Sequence, residues 1–258
     1  MPVKTPDIPK VPVEPRYAEV TRPVVDEIEA IVRTVPGWSP VDQLQALFQL
    51  AYLTADVPGD IVEIGSWCGR STAVLGLAAR RAGNLRVHCV DLFPGRDDWT
   101  QNPDGSYSFS VRIHGRTYGG YQDQKVWKEP FERDIAPIYE DHESIYEVFE
   151  QTVRRHGLEN IVVPYRGDSD WFVQSVDDSF RCRLAFIDGD HSYDAVRLDI
   201  RNIDRFLSPG GWICFDDAFS YYDGVNRAIC DGILENPDYE LGRQLTRKFF
   251  AARKKAKR

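Results

Sequence analysis

Short apolar runs and helix-spaced apolar positions alternate along most of this chain. The apolar runs that predict buried strands are residues 60–64, 86–90, 161–165, 184–187 and 212–215. The segments with helical spacing are about residues 71–82, 142–156, 170–177, 196–207 and 225–234. Leu207 is interpreted as the last apolar position of its helix, and residues 208–211 as the stop that follows. With two more strands expected in residues 239–251, we predict an α/β fold, a Rossmann-like, doubly wound, mostly parallel sheet with a C-terminal antiparallel hairpin.

The predicted domain covers residues 39–258 and follows an N-terminal arm, residues 1–38, that is rich in proline and charge. Ser39 and Pro40 are expected to be the N-cap and first position of a helix that ends near Asp56.

Apolar residues keep neither helical nor strand spacing for long over about residues 94–140, which we interpret as an insertion into the domain. Residues 102–105, Asn-Pro-Asp-Gly, predict a turn, and the alternation over residues 107–113 predicts a strand of a hairpin. The insertion contains aromatic residues that argue against disorder, namely Trp99, Tyr107, Phe109, Tyr118, Tyr121 and Trp127. We predict a lid over the second substrate, and a surface excursion without function is the alternative.

The composition restricts which classes of binding partner are expected, but it does not distinguish between folds. With 42% hydrophobic and 28% charged residues, the chain has the composition of an ordinary globular protein. Its net charge of −8 argues against nucleic acid as the main partner, because phosphate binding needs a positive surface. Five cysteines without a C-x-x-C pair are typical of reduced thiols in a cytoplasmic protein, and no apolar run approaches the ~20 residues of a membrane helix. We expect a small-molecule partner and no membrane partner, and we leave homo-oligomer formation and the role of the basic residues 253–258 open.

Three polar segments follow predicted strands. They are residues 63–69, residues 188–191 (Asp-Gly-Asp-His) and the pair Asp216-Asp217. Because the carboxyl ends of parallel strands meet at one edge of a sheet, where ligands bind, we expect these segments to form one site. Carboxylates gathered there indicate a hard metal ion beside a small-molecule cofactor.

The first of these segments reads E-x-G-x-x-x-G-x-S over residues 63–71 and lacks the spacing of a dinucleotide-binding turn. Its glycines would let a ligand approach the backbone. The following helix N-terminus would favour a carboxylate, and Glu63 would attract an ammonium group. The methionyl end of S-adenosylmethionine (SAM) carries both charges, while a plain strand-to-helix turn is the alternative. The candidate cofactor-binding residues of this turn are Glu63, Gly65, Ser66, Gly69 and Ser71.

Two further acidic residues end predicted strands and suit a nucleoside. Asp91 can accept both hydroxyls of a ribose, as in other doubly wound nucleotide sites. Asp168 can accept the adenine amine, with Ser169 beside it. Either acid alone is an ordinary residue at a strand end. Together with Glu63, however, the two acids lie at the ends of successive strands, and this favours a cofactor that carries a nucleoside.

These residues together resemble a class I SAM-dependent methyltransferase, and within that class the metal-dependent sugar O-methyltransferases of the macrocin type. The resemblance rests on residues 63–71, 91, 167–169, 187–191 and 207–217. It covers about residues 43–234 and leaves residues 95–140 uncovered. It implies that Asp188, Asp216 and Asp217 bind a divalent ion, usually magnesium.

The residues themselves favour the same kind of ion. Adjacent strands lie about 4.8 Å apart, so acids that follow the fourth and fifth strands can share one cation. Hard oxygen ligands with no cysteine or histidine at ligand spacing favour magnesium or calcium over zinc. The alternative is that the pair Asp216-Asp217 only caps the following turn.

His191 is the first candidate for the catalytic base and Asp190 the second, because relatives resembling this chain place the base at one of these two offsets from the first metal acid. Capping of the next helix is the alternative role of His191. The predicted function is metal-dependent O-methylation of a hydroxyl on a sugar or glycosylated natural product. A catechol-like aromatic acceptor and a SAM-binding protein without catalysis are the alternatives.

Overall fold

The computed structural model describes residues 22–83, 85–119 and 125–256. Most of the predicted N-terminal arm, Tyr121 of the insertion and the last two residues of the basic tail lie outside this part of the chain. Within the predicted arm, residues Arg22–Thr34 form a helix whose Val24, Ile28 and Ile31 are buried. No helix within the described residues is long and apolar enough to cross a membrane.

A seven-stranded sheet forms the centre of the fold. Its strands in chain order are β1 (Asp60–Ile64), β2 (Val87–Asp91), β3 (Val162–Arg166), β4 (Cys182–Ile187), β5 (Leu207–Phe215), β6 (Tyr239–Gln244) and β7 (Phe250–Lys254). They lie side by side in the order β6-β7-β5-β4-β1-β2-β3. Strands β1 to β5 pair in parallel, and β7 is antiparallel to both β5 and β6. The predicted sheet with a C-terminal antiparallel hairpin is therefore confirmed.

Helices cover both faces of this sheet. They are α1 (Arg22–Thr34), α2 (Val41–Leu53), α3 (Arg70–Arg81), α4 (Ile145–Arg155), α5 (Ser169–Ser175), α6 (Tyr193–Asp204) and α7 (Asp223–Ile229), with a short π-helical turn at Cys230–Leu234. Buried side chains of α1 to α4 form one core cluster, and those of α5 to α7 form a second. The fold is doubly wound because each face of the sheet has its own core.

Two predicted helix boundaries are wrong. Helix α2 begins at Val41 with Pro40 as its N-cap, so Ser39 does not cap it. Leu207 is the first residue of β5 and not the end of a helix. Residues 208–211, predicted as a stop, belong to β5 and form an irregularity: Cys182 pairs with Leu207, whereas Leu184 pairs with Trp212. The helical spacing of Leu207 is a coincidence of sequence, since this residue is buried through strand pairing.

The insertion forms its own antiparallel sheet. Its strands are Trp99–Gln101, Tyr107–Ile113, Arg116–Gly119 and Lys125–Val126. Short helical segments accompany them at Arg96–Asp98, Lys128–Pro130, Phe131–Ile135 and Ile138–Asp141. The Tyr107 ring stacks on the Phe131 ring at 3.8 Å between centroids, and Phe131 belongs to the core cluster of α1 to α4. The insertion is therefore folded against the domain.

Candidate active site

The carboxyl ends of β1, β2 and β4 are joined by backbone hydrogen bonds, which bring two of the predicted segments together. The Gly65 N–H donates to the Val90 carbonyl at 2.8 Å, and the Asp188 N–H donates to the Ile64 carbonyl at 2.7 Å. The turn after β1 and the acidic segment after β4 are therefore neighbours, as the sequence predicts.

Glu63 lies completely buried at this edge. Its Oε2 accepts hydrogen bonds from the hydroxyls of Ser66, at 2.8 Å, and of Thr72. Burial raises the pKa of Glu63 above its ordinary value, because no cation offsets the desolvation of the charged form. Its Oε1 has no hydrogen-bond partner within the described residues, which fits a ligand that brings its own donor.

Chain packing alone accounts for the two glycines of the turn. Gly65 has φ +88°, and a Cβ atom there would overlap the Asp188 carbonyl. Gly69 also has φ +88°, is the N-cap of α3, and would place a Cβ 3.2 Å from the Phe149 ring. Both glycines are thus needed for a left-handed conformation and close contacts. Their approach to a cofactor stays a prediction.

Asp91 uses both carboxylate oxygens to hold backbone amides. Its Oδ2 accepts from the Trp67 N–H at 2.8 Å, and its Oδ1 accepts from the Phe93 N–H at 2.6 Å. Burial nevertheless raises the pKa of Asp91. Each oxygen keeps a second lone pair, so the fixed carboxylate suits two hydroxyls of a ribose.

At the end of β3, Asp168 is partly exposed and Ser169 is buried. Asp168 is the N-cap of α5, and its Oδ1 accepts from the Trp171 N–H at 2.8 Å. Ser169 is buried, and its hydroxyl accepts from the Asn202 amide at 3.0 Å on α6. The Ser169 hydroxyl is thus occupied by the protein, and a cofactor contact by this residue stays a prediction.

Three potential metal ligands converge after β4 and β5. Asp188, His191 and Asp217 each offer one ligand atom, and these atoms all lie within 4.8 Å of one another. His191 Nε2 lies 3.2 Å from Asp217 Oδ2. Asp217 has φ +53°, a left-handed conformation that is uncommon for a residue other than glycine.

Asp216 is less available as a metal ligand than Asp188 and Asp217, the other two predicted ligands. It is buried, and its Oδ1 accepts from the Asp217 N–H at 2.6 Å. Its Oδ2 lies 3.2 Å from the Lys248 ammonium, which is also 3.3 Å from Asp217 Oδ1. The turn-capping alternative is therefore partly right for Asp216.

Lys248 is not among the residues that the sequence predicts for this site. Because Phe250 pairs with Phe215 in antiparallel strands, the residue two positions before Phe250 lies opposite the one two positions after Phe215, which is Asp217. The signal would have been the register of the hairpin, which the sequence pattern does not give.

Charge in this cluster is unevenly balanced. Burial and the neighbouring Asp216 and Asp217 raise the pKa of Asp188 well above its ordinary value. Burial would also raise the pKa of Asp217, but His191 and Lys248 lower it below the ordinary value. Burial would lower the pKa of Lys248, yet the carboxylates raise it. Asp188 therefore lacks a full cation partner. The expectation that no histidine lies at ligand spacing is wrong, because His191 offers a ligand atom beside Asp188 and Asp217. A donor set of carboxylates with one imidazole still fits a divalent ion such as magnesium.

The two candidate bases differ in their contacts. The Asp190 carboxylate accepts from the Ser192 N–H at 2.6 Å, next to the start of α6. Ser192 is the N-cap of α6 and accepts from the Ala195 N–H, so the helix-capping alternative for His191 is wrong. The His191 ring is stacked on Tyr222, another residue the sequence analysis missed, at 4.0 Å between centroids. His191 is therefore fixed on one side by Tyr222 and at Nε2 by Asp217.

Comparisons with known proteins identify the family of this chain. Residues 62–218 match the sequence family described as Methyltransferase domain. The chain is 28% identical over 192 residues to a tetracenomycin-C rhamnosyl 4'-O-methyltransferase of Streptomyces olivaceus. That alignment covers 73% of this chain and 63% of the relative.

Solved structures show the same fold at low identity. The O-methyltransferase NovP is 14% identical, with a TM-score of 0.60 over 94% of this chain and 100% of NovP. CalS11, a TDP-rhamnose 3'-O-methyltransferase of calicheamicin biosynthesis, is 19% identical, with a TM-score of 0.52 over 94% of this chain and 96% of CalS11. TomG of Streptomyces achromogenes, solved with SAM, is 13% identical, with a TM-score of 0.53 over 96% and 92% of the two chains.

Proposed function

Because this chain belongs to the family of methyltransferase domains, we propose that it is a SAM-dependent O-methyltransferase that acts on a sugar hydroxyl of a glycosylated natural product with the help of a divalent cation. One observation carries the proposal. The Asp188 N–H bonds to the Ile64 carbonyl, so the acidic cluster adjoins the turn that would hold the methionyl end of SAM. A hydroxyl bound at the cluster would thus lie beside the methyl donor.

The proposed cofactor contacts follow the sheet edge. Glu63 Oε1 would accept from the ammonium group, Asp91 from the ribose hydroxyls, and Asp168 from the adenine amine. These contacts would fix the cofactor along β1, β2 and β3, so that the methyl group faces β4. Alignment of this kind is the main requirement of an in-line methyl transfer.

The acceptor proton would leave through His191. Since Nε2 lies next to Asp217 Oδ2, the neutral imidazole would carry its proton on Nε2 and accept the hydroxyl proton at Nδ1. Asp188 and Asp217, with Asp216 behind them, would hold the divalent cation, which would lower the pKa of a coordinated hydroxyl. Asp190 stays the second candidate for the base.

Two relatives favour a sugar as the acceptor, because their names describe methylation of rhamnose hydroxyls. The test is a methylation assay with a rhamnosylated aglycone, TDP-rhamnose and a catechol, each with magnesium and with excess chelator. We expect methylation of a rhamnose hydroxyl, which mass spectrometry and NMR would locate, and loss of turnover in chelator.

The assay separates the proposal from both alternatives. Preferential methylation of the catechol would support an aromatic acceptor. SAM binding with no turnover of any acceptor would support a binding protein. Full turnover in chelator would contradict the metal role alone.

A further inference from the structure

The tip of the insertion hairpin, residues 113–116, rests on the end of β3. The His114 ring stacks on the Trp171 ring with 3.5 Å between centroids and 12° between planes. His114 Nε2 also lies 2.8 Å from the Arg166 carbonyl oxygen. Since Trp171 N–H donates to Asp168, the tip contacts the segment that would meet the adenine.

The indole of Trp171 is held between this tip and the sheet. A Cβ atom at Gly167 would lie 2.9 Å from Trp171 Cγ, so the indole lies directly against the backbone at the end of β3. The Arg166 side chain donates to the Leu92 carbonyl at 3.4 Å and links the end of β3 to the end of β2. Hairpin tip, indole and strand end therefore form one layered wall beside Asp168.

Tyr118, on the returning strand of the hairpin, adds an unpaired polar group to this wall. Its hydroxyl is shielded from solvent and has no hydrogen-bond partner within the described residues, although Arg116 lies beside it. Burial raises the pKa of Tyr118, as do the carboxylates of Asp168 and, to a smaller extent, Asp170, whereas the neighbouring Arg116 lowers it. A shielded hydroxyl without a partner costs free energy, which a polar ligand atom would recover.

The position of the tip separates it from the acceptor. Strand β3 is four strand positions from β5 in the sheet order β5-β4-β1-β2-β3. At about 4.8 Å per position, the end of β3 lies roughly 19 Å from the acids that follow β5. The sequence predicts a lid over the second substrate, but the described tip of the insertion contacts the end of β3, where the adenine would bind.

We propose that the hairpin tip is an adenosine-binding element: His114 and Trp171 shield the purine, and the Tyr118 hydroxyl pairs with a polar atom of the adenosine. The element sets how tightly the cofactor binds and how fast its product, S-adenosylhomocysteine, dissociates. This inference rests on the proposed function, because its ligand is the cofactor of that function.

The test is calorimetric binding of S-adenosylhomocysteine and of 5'-methylthioadenosine, which has the adenosine but no amino acid group. His114→Ala should weaken both ligands by the same factor, about tenfold, because both lose the same shielding of the purine. Tyr118→Phe should weaken both about threefold to tenfold through one lost hydrogen bond. His142→Ala, just after the insertion and away from the tip, is the control and should bind both ligands as the wild type does. Stopped-flow dissociation of S-adenosylhomocysteine should be faster in the two tip variants.

The outcomes separate the inference from the proposed function. Wild-type protein that binds neither ligand would overturn both. Wild-type binding with unchanged affinities in His114→Ala and Tyr118→Phe would overturn the adenosine-binding element alone, as would a loss for S-adenosylhomocysteine that 5'-methylthioadenosine does not share. Thermal unfolding identifies a misfolded His114→Ala protein, and the nearly isosteric Tyr118→Phe then decides the question.

Discussion

The two halves of the sheet edge hold their acids in different ways. In the turn after β1, hydroxyl groups surround the Glu63 carboxylate and no cation compensates it. After β4 and β5, by contrast, Asp217 contacts both His191 and Lys248. The first half suits a ligand that supplies positive charge, as the ammonium and sulfonium of SAM would. The second half already contains part of the positive charge that its acids require.

The largest expected effect is on catalysis in the second half. Asp217→Asn should lower kcat roughly a thousandfold, because it removes the charge that orients His191 and would hold the cation. The dissociation constant of SAM should change less than threefold. Asp223→Asn, which removes an exposed acid paired with Arg227, is the control. If Asp217→Asn weakened SAM binding as much as it lowers kcat, the two halves of the sheet edge would not have separate roles.

The next effect concerns the base. His191→Ala should lower kcat about a hundredfold, because the acceptor hydroxyl would lose the group that takes its proton. Asp190→Asn is the paired variant and should stay within tenfold of wild type. Reversed results for the two variants would assign the base to Asp190.

In the first half, Asp91→Ala should weaken SAM binding at least tenfold, since charge-assisted hydrogen bonds contribute about 1.5–3 kcal/mol each. The substitution also frees two backbone amides. Asp98→Ala controls for that, because Asp98 likewise accepts from a backbone N–H, that of Gly95. Calorimetry that gives wild-type affinity for Asp91→Ala would remove this residue from the site.

Lys248 tests whether the internal ammonium competes with the metal. Lys248→Met should bind Mn²⁺ about tenfold more tightly in the absence of SAM, because one positive charge leaves the cluster. It should also unfold at a lower temperature without metal. Lys254→Met is the control, because it breaks a pair with Asp204 away from the site. This variant should bind Mn²⁺ as the wild type does. Unchanged affinity in Lys248→Met would mean that lysine and metal do not compete.

The smallest effect is on how stability depends on pH. Burial raises the pKa of Glu63 in the folded state, so the unfolded chain ionises first, near pH 4.3. Wild-type protein should therefore lose this part of its stability as pH rises from there through the higher folded pKa. Glu63→Gln should lack the loss, which urea unfolding across this range would measure. Parallel curves for the two proteins would mean that Glu63 stays ionised in the fold.

The sequence predicted those features that depend on local pattern. The strands, the sheet class and the meeting of Ile64 with Asp188 follow from apolar runs and from the geometry of parallel sheets. Lys248 and the contact of His114 with Trp171 could not be predicted, because each depends on pairing between distant segments. The helix Arg22–Thr34 was missed because it lies in a segment interpreted from its prolines and charge.

The irregularity in β5 separates the length of this strand from its register with β4. Between the pairs Cys182–Leu207 and Leu184–Trp212, β4 advances two residues while β5 advances five. The three surplus residues are taken up before Trp212, and regular pairing from there places Phe215 beside Ile187. Because regular pairing resumes at Trp212, the number of residues between Leu207 and Trp212 does not determine where Asp216 and Asp217 lie relative to the end of β4.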